Sequence, residues 1–149
     1  MKFLLDSSAL FAHLFAEPGA DQVRSLFHDP QSVINLSVVS ALELFAALHA
    51  RDHGEQFEDI WERYRQIVDH VRGVDEAVVT QAIALRRVAG RRLPNGDALI
   101  AATAVLAEAT LVHRDAHFSA IPSEVLRGTP RRPFFGDPVR SAATMASAR

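Results

Sequence analysis

Short apolar runs that alternate with longer stretches of helical spacing constrain this chain more than any other feature of it. Lys2-Phe3-Leu4-Leu5 reads as a buried first strand, and Ser7 to about Ala16 as a helix stopped by Glu17-Pro18-Gly19. Residues 20–28 carry Val23, Leu26 and Phe27 on one helical face, and Asp29-Pro30 is a turn. Ser32 to Leu36 is a second strand, Ser40 to Arg51 a helix, and Glu55 to about Gln66 another helix. Ile67 to Val71 either extends that helix or forms a short strand. Asp75 to Ala89 is a helix closed by Gly90, and Pro94-Asn95-Gly96 is a turn that starts the helix Asp97 to Ala107. Thr110 to Val112 is a strand, with Glu124 to Leu126 a possible last one. Strands separated by helices imply a parallel sheet with right-handed crossovers.

With 149 residues and 48% hydrophobic content, residues 1–127 suffice for one domain with a real core. From Gly128 the chain turns rich in Pro, Arg and Ala, and residues 128–149 read as a flexible tail interrupted by Phe134-Phe135. The absence of cysteine excludes disulfides, zinc–thiolate sites and thiol catalysis. Asp6 cuts the apolar start too early for a signal peptide. No uncharged stretch reaches the ~18–20 apolar residues of a membrane span, so a soluble cytoplasmic protein is expected.

Four carboxylates, Asp6, Glu43, Asp97 and Asp115, stand inside or at the ends of apolar segments. Acids are almost never fully buried without a partner. Asp6 and Asp115 follow strands, where open α/β sheets collect their ligands, but each reads equally well as a helix N-cap. Ser40-Ala41-Leu42-Glu43 fits a capping box, although the helical neighbours of Glu43 (Val39, Ser40, Ala46, Ala47) form a small, largely apolar face. Asp97 can serve as the first-turn acid of its helix. If the four converge, each pair repels by up to ~4 kcal/mol at 4 Å and an effective dielectric near 20. Mg²⁺ or Mn²⁺ offsets such repulsion, and a site of that kind can activate water and stabilise a phosphate's leaving oxygen.

The formal charge of −2 does not advertise a nucleic-acid binder, but net charge says little about local patches. Arg86, Arg87, Arg91 and Arg92, just upstream of Asp97, are the RNA-binding candidates; they suit the C-terminal end of a solvated helix equally well. Phe57, Ile60, Trp61 and Tyr64, at helical spacing, read as core or dimer surface rather than a base-stacking stripe.

Met1 to Leu10, the helix around Ser40-Ala41-Leu42-Glu43-Leu44, Leu93-Pro94-Asn95-Gly96-Asp97 through Ala104, and Leu111 to Phe118 form a set of four segments. Together they resemble PIN-domain nucleases, and among them the VapC-type toxins of bacterial toxin–antitoxin pairs. The resemblance spans about residues 2–127, and the Asp97 segment is its most specific piece. It implies a three-layer α/β/α sandwich around a central parallel sheet, with a Mg²⁺- or Mn²⁺-dependent site at the strand carboxyl ends. Asp6, Glu43, Asp97 and Asp115 match the family's catalytic, metal-holding acids, and Ser7 matches a supporting Ser or Thr. The implied activity is hydrolysis of RNA to 5′-phosphate and 3′-hydroxyl ends. The implied partners are a VapB-type antitoxin that covers the site and a second copy in a homodimer. The last motif departs from the pattern: His113 stands where relatives carry Thr or Ser, and His117 where many carry Asp or His. His113 is therefore a supporting candidate, able to orient a substrate phosphate or to act as an ordinary neighbour of the site.

Two rival readings have distinct signatures. A receiver-like phosphoacceptor needs an acid pair after its first strand and a late Lys, whereas this chain has Asp6 alone and only Lys2. A PIN-like module that binds RNA or a partner without cleaving it would have no need of all four acids.

Overall fold

In the computed structural model, which describes residues 1–122 and 125, four strands form one parallel sheet. They are β1 (Lys2–Leu5), β2 (Val33–Ser37), β3 (His70–Arg72) and β4 (Thr110–Val112), in the spatial order β3-β2-β1-β4. The six helices described are α1 (Ser7–Leu14), α2 (Ala20–His28), α3 (Val39–His49), α4 (Phe57–Ile67), α5 (Glu76–Val88) and α6 (Asn95–Leu106). The alternation of apolar runs and helical spacing thus produces the sandwich expected of it. Segment 67–71 divides between the two readings: Ile67 ends α4, Val68 leaves the helix in extended backbone at φ −94°, ψ 150°, and His70 and Val71 belong to β3.

Alternation along β1 divides the core into two halves. Leu4 and Leu111 face α5 and α6, joining Val78, Ala82, Leu85, Ile100 and Ala101. Phe3, Leu5, Ile34, Leu36 and Val112 face the opposite way and pack with Leu10, Val23, Leu44, Leu48 and Tyr64. A fully covered parallel sheet needs apolar residues on both faces, hence the unbroken apolar run of β1. Asn35, buried on β2, is satisfied: its amide donates 3.0 Å to the carbonyl of Phe3, and its oxygen accepts from Arg72 Nε at 3.0 Å. The α4 aromatics belong to the core, with Tyr64 only 4% exposed and Phe57, Ile60 and Trp61 packed against it.

Two local expectations need correction. Pro94 is the N-cap of α6 at φ −56°, ψ 156°, so Asn95 and Gly96 lie within its first turn rather than in a turn ahead of it. The α3 helix begins at Val39, capped by no side chain, which places Ser40 inside the helix and removes the capping box. Of the possible strand at Glu124–Leu126 only Val125 is described, in a turn, and the tail 128–149 lies outside the described residues.

The sheet order determines where a ligand site can form. After β1 the chain moves outward to β2 and β3, then returns across the sheet to β4 on the other side of β1. Ligands of open α/β sheets bind at such a reversal, outside the strand carboxyl ends. Asp6 follows β1 there, and its N–H donates 2.9 Å to the Val112 carbonyl at the end of β4.

Candidate functional site

Each acid enters the reversal point from a different element. Asp6 caps α1: its Oδ2 accepts from the Ser8 N–H at 3.0 Å and from Ser8 Oγ at 2.6 Å. Asp97 lies in the first turn of α6. Asp115 caps the short 3-10 turn Ala116–Ala120, its Oδ1 accepting from the His117 N–H at 2.8 Å. Glu43 lies mid-helix on α3 and reaches across to α1, where its Oε2 accepts a hydrogen bond from Ser7 Oγ. Capping and convergence are therefore compatible, because helix N-termini supply the partial positive charge that such carboxylates need.

The four sequence-expected acids come together. Ser7 Oγ joins the Asp6 and Glu43 carboxylates, at 3.4 Å from Asp6 Oδ1. His117 Nδ1 joins the other two, at 2.9 Å from Asp97 Oδ2 and 3.1 Å from Asp115 Oδ1. Burial raises the pKa of Asp6, which is 2% exposed, against the lowering effect of its bonds to Ser8. Burial also raises Glu43; the Ser7 bond opposes this, and the charges of Asp6, Asp97 and Asp115 add to it. For Asp97, burial is followed by the charges of Asp6 and Asp115, with His117 pulling the other way. The charge contributions at Glu43 and Asp97 are those of carboxylates gathered in one small volume.

His113 holds the loop that carries Asp115. Its Nδ1 lies 3.0 Å from the Asp115 carbonyl, and its ring packs on Phe118 with centroids 4.7 Å apart. Burial lowers its pKa, so the ring is neutral at pH 7. Of the four arginines near Asp97, Arg86 donates to Asn95 Oδ1, tying α5 to the start of α6. Arg91 donates to the Ala116 carbonyl and, at 2.6 Å, to Ser119 Oγ. Arg87 and Arg92 are exposed.

Sequence reasoning missed two contributors. Ser8 links Asp6 to the Asp115 loop: its Oγ donates to Asp6 and accepts the Arg114 N–H at 2.9 Å. The signal was a hydroxyl two residues after a capping Asp. Gly96 is the other, since a Cβ there would collide with Glu43 Oε1. No local pattern announces it, because the neighbour is 53 residues away.

A divalent cation fits the donor set. Asp97, Asp115 and His117 offer ligand atoms all within 4.8 Å of one another, and the strained ionisation of Glu43 and Asp97 is what a hard cation relieves.

A parallel α/β/α sandwich with acids converging at its strand reversal is an arrangement suited to holding a cation. The PIN-domain family profile matches residues 3–124, and the chain belongs to that family. Solved structures of similar fold include VapBC2 from Rickettsia felis bound to a DNA fragment from their promoter. It aligns with TM-score 0.67 at 20% identity, over 82% of this chain and 94% of that one. FitAcB from Neisseria gonorrhoeae aligns with TM-score 0.63 at 25% identity, over 80% of this chain and 92% of that one. DNA-bound VapBC from Salmonella typhimurium gives 0.65 at 18% identity, over 82% and 93%. No curated protein matches the chain at a significant level. Among the described residues, no helix is long and apolar enough to cross a membrane.

Proposed function

We propose that this protein is a divalent-metal-dependent endoribonuclease, the toxin of a VapBC-type pair. The observation that carries the reading is the convergence of Asp6, Glu43, Asp97 and Asp115 at the strand reversal, where burial disfavours the ionisation of Asp6, and burial together with neighbouring carboxylate charge that of Glu43 and Asp97. Mg²⁺, with Mn²⁺ as substitute, is the expected ion, held by Asp6, Asp97, Asp115 and Glu43 directly or through water. When bound, it lowers the pKa of water and neutralises charge on a phosphodiester. The chain's own part is positional. Ser7 holds Glu43 against Asp6, Ser8 aims Asp6, and His113 fixes the turn that presents Asp115.

Incubation of the purified protein with RNA is expected to give cleavage with Mn²⁺ or Mg²⁺, loss of cleavage with EDTA, and recovery on adding ion back. The ends are expected to be 5′-phosphate and 3′-hydroxyl, because a water nucleophile spares the 2′-hydroxyl. Cleavage that survives EDTA, or 2′,3′-cyclic ends, would overturn the reading. RNA binding without any cleavage would favour the PIN-like binding module.

His117 adds a nitrogen donor to a site otherwise made of oxygen. Mg²⁺ holds to oxygen ligands and keeps its waters, whereas the less hard Mn²⁺ accepts a nitrogen donor more readily. His117→Ala is therefore expected to weaken Mn²⁺ binding by roughly 10-fold or more while changing Mg²⁺ binding less. Calorimetric titration of each ion measures this, and equal losses for both would separate the ring from the ion.

The exposed apolar side chains of Leu42 and Phe45 on α3, and of Val79, Ile83 and Val88 on α5, support protein partners. The α3 face lies on the helix that carries Glu43, which suits an antitoxin that reaches the acidic site. The α5 face suits a second copy of the chain.

A further inference from the structure

An open pocket of about 340 Å³ lies beside the acidic cluster, lined by Ser8, Phe11, Glu17, Arg51, Arg114 and Asp115. Two of its walls are guanidinium groups held in place from different elements. Arg51, just past α3, lies over the Phe15 ring at 4.4 Å and donates 3.0 Å to the Ala47 carbonyl. Arg114, just past β4, pairs with Glu17 at 2.6 Å. The backbone of Arg114 is tied through Ser8 Oγ to Asp6, so this guanidinium and the acidic cluster share one scaffold.

We infer that Arg51 and Arg114 form a phosphate-binding subsite that holds the RNA strand next to the bond cleaved. This rests on the ribonuclease reading and deepens it. The acids repel the substrate backbone, so some neighbouring charge must hold the strand, and arginine forks match phosphate geometry. Arg86 and Arg91 are bonded to Asn95 and to the 116–119 turn, and neither they nor the exposed Arg87 and Arg92 line this pocket. Arg51 and Arg114 open into a concave space that reaches Asp115. Stacking on Phe15 and pairing with Glu17 orient both groups before the strand arrives, which limits the ordering cost on binding. Glu17 competes with phosphate for Arg114, giving the subsite a feature whose removal acts in the opposite direction.

The test uses the full chain carrying Asp6→Asn, with Mg²⁺ present, and fluorescence anisotropy of a labelled single-stranded RNA across a salt series. Adding Arg51→Gln and Arg114→Gln together is expected to raise Kd about 10-fold and to flatten the salt slope by roughly 1.4, near 0.7 for each phosphate of a single strand no longer neutralised. Glu17→Gln is expected to lower Kd several-fold by freeing Arg114. An unchanged Kd and slope in the double variant, or weaker binding with Glu17→Gln, overturns the subsite. If the wild type cleaves RNA yet the double variant binds like its parent, the subsite alone falls. If the chain neither binds nor cleaves RNA, the subsite and the ribonuclease reading fall together.

Discussion

Asp6→Asn is expected to abolish cleavage while making the ion-free protein more stable. Activity should fall by more than ~100-fold, since removing even the partners of metal ligands costs about 10- to 100-fold. Stability should move the other way for three reasons. Asn caps a helix about as well as Asp, so Ser8 keeps its acceptor. The buried carboxylate, whose ionisation the folded state resists, is gone. The repulsion it exerts on Glu43 and Asp97 goes with it. A relief of ~1 kcal/mol corresponds to roughly 3 °C in a chain of this size.

The same groups set a pH dependence. Asp6, Glu43 and Asp97 have folded pKa values raised above their ordinary 3.8, 4.5 and 3.8. The folded state therefore binds more protons, and the stability these groups contribute is full below about pH 4 and lost as pH rises through the raised values. The half-buried His13 and His113, with pKa values lowered by burial, impose the opposite slope below about pH 6.5. The difference between wild type and Asp6→Asn is thus the informative quantity. In EDTA the variant's advantage should grow from pH 4.5 to pH 7.5, and Mn²⁺ should shrink it by binding the wild type. Urea unfolding measures both; a variant less stable than wild type at pH 7.5 in EDTA would refute the account.

Gly96→Ala is expected to cost activity without costing the fold. The added methyl meets Glu43 Oε1, with Glu43 Cδ at 3.5 Å and Val39 Cγ1 at 4.0 Å. A glutamate carboxylate is the free end of a flexible side chain, so it moves aside cheaply. Alanine also gains up to about 1 kcal/mol over glycine within a helix. Displacement nevertheless pulls Glu43 from Ser7 and from its place beside Asp6 and Asp97. A shift near 1 Å in a positioning group can cost about 100-fold in rate. Thermal unfolding should therefore change by no more than a few degrees while single-turnover cleavage drops by about two orders of magnitude. Unchanged cleavage would mean that Glu43 can be moved freely.

Elements whose signals are local were legible in the chain. The apolar run of β1, the stop at Pro18-Gly19 and the Asp75 cap of α5 follow from neighbouring residues. Asp6 and Asp115 were legible as caps at strand ends, and their convergence follows from the strand reversal. Glu43 was harder to read. The pattern Ser40 to Glu43 satisfies a local rule, yet β2 passes almost directly into α3, with Ser37 Oγ accepting the Val39 N–H at 3.3 Å. The helix therefore starts before Ser40, and Glu43 is left to find a partner on α1. The arginines are a similar case. Arg86 and Arg91 look as available as Arg51 and Arg114 in sequence, and only the packed loops distinguish them.

The pairing of β1 with β4, Leu5 against Val112, has a temporal consequence. A chain emerging from the ribosome can build β1, β2, β3 and the helices between them while β1 still has one bare edge. Asp115 is then still unmade, and Asp6 lacks the Val112 carbonyl that anchors its backbone. On the proposed reading, a product that ends before residue 110 lacks both β4 and Asp115 and would have no hydrolytic site. Closing a contact across so much chain is slow relative to local folding. For a protein that would cut RNA, that delay separates its synthesis from its activity.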